Sequence, residues 1–215
     1  RLLYQRDPIP FQTLNFAEGT EQHTHSDTVH FHSVPHGFMC GVWVALQDID
    51  ASCGPLHVYP GSHKMPAWDF HDLGLPSGRE SYQQYEDCMQ AYVEAAGLKK
   101  HIVTMKKGQA VIWSATLLHG GEHIQERSKT RHSQVTHYYF SDCLYYTPML
   151  SDPYIGKMQM RTITNIRTGQ IVPNMYAGKP LSPLSIPAPA SVIPAAQAAV
   201  TVIHRLLQRA KRWTR

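Results

Sequence analysis

Phe38-Met39-Cys40-Gly41-Val42-Trp43-Val44-Ala45-Leu46 is a nine-residue run dominated by apolar, aromatic and β-branched side chains, entered from Pro35-His36-Gly37 and left through Gln47-Asp48-Ile49-Asp50. A run of this length and composition between turn residues reads as a buried strand. Runs of similar character recur at Phe11–Phe16, Thr28–His32, Leu56–Tyr59, Ile102–Met105, Gln109–Trp113 and Ser133–Phe140, each set off by Gly, Pro or Asp. Many short strands spaced by turns specify a β-sandwich or barrel. The expected fold is mainly β, a double-stranded β-helix or jelly roll.

Immediately upstream of these strands stands His25-Ser26-Asp27, and far downstream a single His119. In an extended strand residues two apart point to the same side, so His25 and Asp27 are expected to address one ion while Ser26 turns away. With His119 returning from a later strand they form two imidazoles and one carboxylate on one face of a metal, leaving the opposite positions open for ligands and dioxygen. That is the ligand set of a non-haem Fe(II) oxygenase. Fourteen histidines in 215 residues make an accidental His-x-Asp pair easy, so the pair acquires weight only from what accompanies it. His63 is read as structural. His23, His30, His32 and His36 are read as solvent-facing or as neighbours of the ligands.

Gly41-Val42-Trp43-Val44-Ala45-Leu46-Gln47-Asp48-Ile49-Asp50 is followed by Cys53-Gly54-Pro55-Leu56-His57-Val58-Tyr59-Pro60-Gly61-Ser62-His63 and, later, by Leu118-His119-Gly120-Gly121. This succession resembles the phytanoyl-CoA dioxygenase (PhyH) family of 2-oxoglutarate-dependent oxygenases. In that family a His-x-Asp is followed by a Trp-bearing strand, an acidic turn, a Gly-Pro-Leu strand, a Pro-Gly-Ser-His turn and a Leu-His-Gly segment. The likeness covers roughly residues 11 to 140. It implies a cupin-like jelly roll and the cofactor set Fe(II), 2-oxoglutarate and O2, with His25, Asp27 and His119 as metal ligands. The implied reaction is hydroxylation of an aliphatic carbon of a small molecule with release of succinate and CO2. Related halogenases leave the carboxylate position empty, so Asp27 favours hydroxylation, with desaturation or ring closure as the other outcomes.

A 2-oxoglutarate site needs a cation for the distal carboxylate, and a guanidinium grips a carboxylate through two parallel hydrogen bonds where an ammonium offers a point charge. Arg131 opens the last strand run and is placed beside the metal, on the strand next to that of His119. Arg127 is the rival, in the polar stretch Gln125–Lys129. Ser133, two residues on, either completes the carboxylate pocket or is an ordinary strand serine. Trp43 either lines the 2-oxoglutarate pocket, as the resemblance implies, or is plain core.

The organisation read from the chain is an oxygenase domain over 1–145 with an insertion at about 64–101, an irregular Pro-rich segment over 146–194 and a basic amphipathic helix over 195–215. Within the insertion, Tyr82, Tyr85, Met89, Tyr92 and Val93 recur at helical spacing up to Gly97, a stripe read as packing on the barrel. Pro173, Pro180, Pro183, Pro187, Pro189 and Pro194 mark the linker. Beyond it Val200, Ile203, Leu207 and Ala210 share an arc opposite Arg205, Arg209 and Arg212. That helix is expected to dock on the barrel or between subunits of a homo-oligomer, with an anionic membrane surface as the alternative.

Cys40, Cys53, Cys88 and Cys143 are scattered without a CxxC pair, which argues against a zinc knuckle and fits free thiols in a cytoplasmic enzyme. The net charge of +4 is too slight and dispersed for nucleic acid. Residue 1 is Arg, so the chain reads as a fragment or a processed product. Two other classes stay open: a cupin-like metal enzyme that does not use 2-oxoglutarate, and a non-catalytic jelly-roll binding module. The family's substrates include acyl-CoA thioesters, amino-acid derivatives, sugars and natural products, and no motif chooses among them.

Overall fold

The computed structural model describes residues 3–181. Nine strands form the framework: β1 (Pro8–Phe16), β2 (His32–Val34), β3 (Met39–Ala45), β4 (Leu56–Val58), β5 (His101–Val103), β6 (Ala110–Ser114), β7 (His119–Gly121), β8 (Ser133–Phe140) and β9 (Leu144–Tyr146). A four-stranded antiparallel sheet has the order β1-β8-β3-β6, a three-stranded one the order β5-β4-β7, and β2 pairs with β9. The two larger sheets close around one core, in which Trp43, Trp113 and Val135 of the first meet Val103, Leu56 and Val58 of the second. The fold is the jelly roll expected from the sequence.

The strand that decides the fold behaves as its composition demands. Along β3, Trp43 and Ala45 are buried while Val42 and Val44 are partly exposed, the alternation of a strand with one face on the core. Gly41 departs from the apolar pattern for a steric reason. A Cβ there would meet the Trp113 indole 2.4 Å away, so its absence lets that ring lie across β3 toward the metal face.

The insertion carries α1 (Tyr82–Ala95), which buries Tyr85, Met89 and Val93 against Val29, Tyr59, Phe70 and Leu118. The helix stops where the sequence indicated: Gly97 has φ +63°, the left-handed conformation that ends helices and that only glycine adopts without strain.

Two expectations are corrected. The first concerns Thr28–His32, which is not one strand: Asp27–Val29 is a turn of 3-10 helix and β2 begins at His32. Ser26 causes this, since its Oγ accepts the Thr28 N–H at 3.3 Å, offering the backbone a cap in place of a ladder. Second, β7 pairs only with β4, and β8 with β1 and β3, so Arg131 reaches the site from the opposite sheet rather than from a strand next to that of His119. The segment over 146–194 is mostly irregular where it is described. As far as Leu181 it folds back onto the barrel, with Ile163–Thr164 paired to Ile171–Val172 and Met175–Tyr176 to Lys179–Pro180. Ile163 there is buried against Ile9, Tyr139 and Tyr145. The helix expected over 195–215 lies outside the described residues. No helix among the described residues is long and apolar enough to cross a membrane.

Candidate active site

His25 and His119 meet through a single β-bridge, each backbone N–H donating to the other's carbonyl at 2.9 and 3.0 Å. Asp27 arrives from the 3-10 turn, so the His-x-Asp pair converges by a bridge followed by a turn rather than by strand alternation. The three side chains are the only such cluster among the described residues, with ligand atoms all within 4.8 Å of one another. Asp27 Oδ1 lies 4.0 Å from His25 Nε2 and 3.9 Å from His119 Nε2. Two bonds of about 2.1 Å span at most about 4.2 Å, so one ion reaches from the carboxylate to either ring.

The rings are held in the tautomer a metal needs. His25 Nδ1 is 2.8 Å from the His23 carbonyl and His119 Nδ1 is 2.9 Å from that of Leu117; donation there leaves the Nε2 lone pairs free. Burial, with the neighbouring His119, pushes His25 down to about 3 against the opposing pull of Asp27, so its imidazole stays neutral. Burial alone would raise Asp27, but the imidazoles of His119, His137 and His25 and the Trp113 indole outweigh it and hold the carboxyl below its ordinary value. Two imidazole nitrogens and one carboxylate oxygen on a buried face fit a divalent first-row ion. Gln22 Nε2 lies 3.3 Å from His25 Nε2, and Gln22 lines the same pocket.

The face opens on a pocket of about 160 Å3 whose wall also includes Arg131 and Trp43. Arg131 is 1% exposed; its Nη1 donates to the Gly54 carbonyl at 2.8 Å while Nε has no partner. Its guanidinium carbon lies 5.4 Å from the Trp43 ring and 5.8 Å from Phe16. It forms no ion pair with a described carboxylate, and burial lowers its pKa. A buried cation without a counter-ion is costly, and an incoming anion relieves that cost. The rival, Arg127, has a 67% exposed side chain paired with Glu21 at 3.1 Å, outside the pocket wall. Trp43 is fully buried and lines the pocket with its indole nitrogen unpartnered, so wall and core are the same role here. Ser133 is not in the wall: its Oγ donates to the Arg131 carbonyl at 3.3 Å and so fixes the backbone behind the guanidinium.

Two contributors escaped the sequence reading. Trp113 Nε1 donates to Asp27 Oδ2 at 2.8 Å, orienting the carboxylate so that Oδ1 faces the imidazoles. His137 lies on the inward face of β8 opposite Gly41, in the pocket wall, with Nδ1 unpartnered. The signal for Trp113 was its pairing with a glycine in an otherwise bulky strand. For His137 it was strand alternation from Val135.

The phytanoyl-CoA dioxygenase (PhyH) family model matches residues 3–133. No curated protein matches the chain. Among solved structures, the non-heme α-ketoglutarate-dependent epimerase SnoN from nogalamycin biosynthesis is similar at 17% identity and a TM-score of 0.47, over 81% of this chain and 60% of that one. The carbocyclase SnoK from the same biosynthesis is similar at 17% identity and a TM-score of 0.49, over the same shares. EctD from S. alaskensis is similar at 22% identity and 0.45, over 63% of this chain and 46% of EctD. The chain thus spans less than two thirds of the length of these structures.

Proposed function

The chain belongs to the phytanoyl-CoA dioxygenase (PhyH) family, and from that premise we propose that it is an Fe(II)- and 2-oxoglutarate-dependent dioxygenase hydroxylating an aliphatic carbon of a small molecule. The observation that carries the reading is Arg131: a buried guanidinium with no counter-anion among the described residues, in the same pocket as two imidazoles and a carboxylate. A cupin-like enzyme working without 2-oxoglutarate leaves that cation unmatched.

His25, Asp27 and His119 hold the iron, and Arg131 receives the distal carboxylate of 2-oxoglutarate. Trp43, Leu56 and Val135 line the pocket and exclude water from the cosubstrate. Trp113 keeps Asp27 turned toward the metal. When bound, the iron and cosubstrate supply the oxidising chemistry: one dioxygen is divided between the substrate, which gains hydroxyl, and 2-oxoglutarate, which leaves as succinate and CO2. The test is anaerobic titration of 2-oxoglutarate into the Fe(II)-loaded chain, followed by aerobic turnover. A visible charge-transfer absorption and iron-dependent succinate formation are expected. If 2-oxoglutarate neither shifts the spectrum nor is consumed, the reading is wrong.

A further inference from the structure

We propose that a subsite next to this pocket, behind Phe31 and His137, receives the carboxylate of the organic substrate at Arg161, with Tyr139 in the same aromatic cluster. The inference rests on the iron and 2-oxoglutarate reading and names the substrate class of that same site: carboxylic acids.

Arg161 Nε, His137 Nδ1 and Tyr139 Oη are three buried polar atoms without hydrogen-bond partners among the described residues. They share one aromatic neighbourhood. The Arg161 guanidinium carbon lies 4.9 Å over the Phe31 ring and 5.8 Å from that of Phe11. Phe31 is in turn 5.2 Å from the His137 ring, and Phe11 stacks on Tyr139 at 4.3 Å. Phe31 and His137 belong to the pocket wall, so the cluster adjoins the metal face without being part of it. Native interiors leave few polar groups unpaired, and several together in one place indicate a missing partner.

The chemistry of the cluster selects that partner. Arg161 forms no ion pair with any described Asp or Glu; its one side-chain bond is from Nη1 to Thr147 Oγ1 at 3.1 Å. Burial pushes the Tyr139 phenol up, so it stays protonated as a donor. Burial also lowers His137; Asp27 opposes that, while His119 and Arg161 add to it, so the imidazole is neutral. One positive charge with neutral donors around it matches a monoanion better than a phosphate dianion. The site is also fixed in place. The Arg161 N–H donates to the Tyr145 carbonyl at 2.9 Å, and the Arg161 carbonyl accepts from Asn174 Nδ2 at 2.9 Å. A cation held this way positions its ligand at low entropic cost.

The test uses the full chain and two matched probe pairs, hexanoate with hexanamide and phenylacetate with phenylacetamide. Each is titrated calorimetrically into protein loaded with Fe(II) and 2-oxoglutarate under anaerobic conditions, and into metal-free protein. At least one acid is expected to bind tenfold or more tightly than its amide. Arg161→Gln should abolish that preference while leaving the 2-oxoglutarate charge-transfer absorption intact, and Arg131→Gln should do the reverse. Arg161→Lys should restore part of the preference, and Tyr139→Phe should lower it a few-fold, which guards against a variant that simply misfolds. Absence of acid preference, its survival in Arg161→Gln, or tighter binding of hexyl phosphate than hexanoate overturns the proposal. If the parent chain shows no 2-oxoglutarate absorption, the oxygenase reading fails separately, and the metal-free titration still decides the carboxylate site.

Discussion

Arg131 and Arg161 are built alike and placed differently. Each guanidinium packs on two aromatic rings, each has a buried Nε without a partner, and neither forms an ion pair with a described carboxylate. Arg131 enters at the head of β8, in the scaffold, and is buried behind Gly54 and Trp43. Arg161 comes from the segment after β9 that folds back over the barrel. The difference teaches a division of labour. On the two proposals made above, the group that every turnover would share stands at the head of a scaffold strand, and the group that would select a substrate stands in a connecting segment, where change costs the fold less.

Removing the metal face is the strongest way to break the comparison. His25→Ala, Asp27→Ala or His119→Ala should each weaken Fe(II) binding by more than about a hundredfold, beyond the usual loss from an outer neighbour, with the circular dichroism spectrum unchanged. Full iron occupancy in the His119 variant would mean that these three residues are not the ligand set. Next in size, Arg131→Ala should raise the 2-oxoglutarate dissociation constant about ten- to a hundredfold, the worth of a charged hydrogen bond, without altering iron affinity. Arg131→Lys should recover part of this and Arg127→Ala should change nothing. If the Arg127 variant is the one that suffers, the pocket drawn here is not the cosubstrate's.

Smaller effects sharpen the contrast. Trp113→Phe removes one hydrogen bond to Asp27 and should weaken iron about tenfold, read by competition with a chromophoric chelator. Acidification leaves both arginines charged and isolates the buried histidines. Burial is the main reason that His32 and His57 are each lowered to about 4. Their folded values lie below the ordinary 6.5, so their contribution is whole above that pH and lost as pH falls toward 4. Urea midpoints should therefore drop between pH 7 and 5; an unchanged midpoint contradicts this. The smallest effect expected is none: truncation before Ala195 should leave iron and 2-oxoglutarate affinities as they are, since every proposed ligand lies between His25 and Arg161.

What the sequence disclosed follows from which interactions are periodic. Trp43 and Ala45 alternate with Val42 and Val44, so the fold could be read from β3 and its companions. The metal-face residues were legible as a spacing, although the route that joins them was not. Ser26 was mistaken for a passive residue between two ligands, when Ser before Asp and Thr is capping chemistry and makes the turn that aims Asp27. Ser133 was considered for the pocket because it follows Arg131 by two, but its hydroxyl is taken by the Arg131 carbonyl. Arg161 gave no signal at all, because it sits in an irregular stretch where neither alternation nor helical spacing marks a buried position. Only the rings of Phe11 and Phe31, distant in sequence, identify it.

The bridge between His25 and His119 gives the site a history as well as a geometry. Its two halves are distant along the chain, and closing a loop of that kind is entropically costly and slow to occur during folding. An unfolded chain therefore has no metal site, and any ion captured adds its binding free energy to the closed form alone, about 2.7 kcal/mol at a hundred times the dissociation constant. Added Fe(II) is then expected to raise the unfolding midpoint of the chain, so the metal that serves the chemistry also clasps the two ends of the site together.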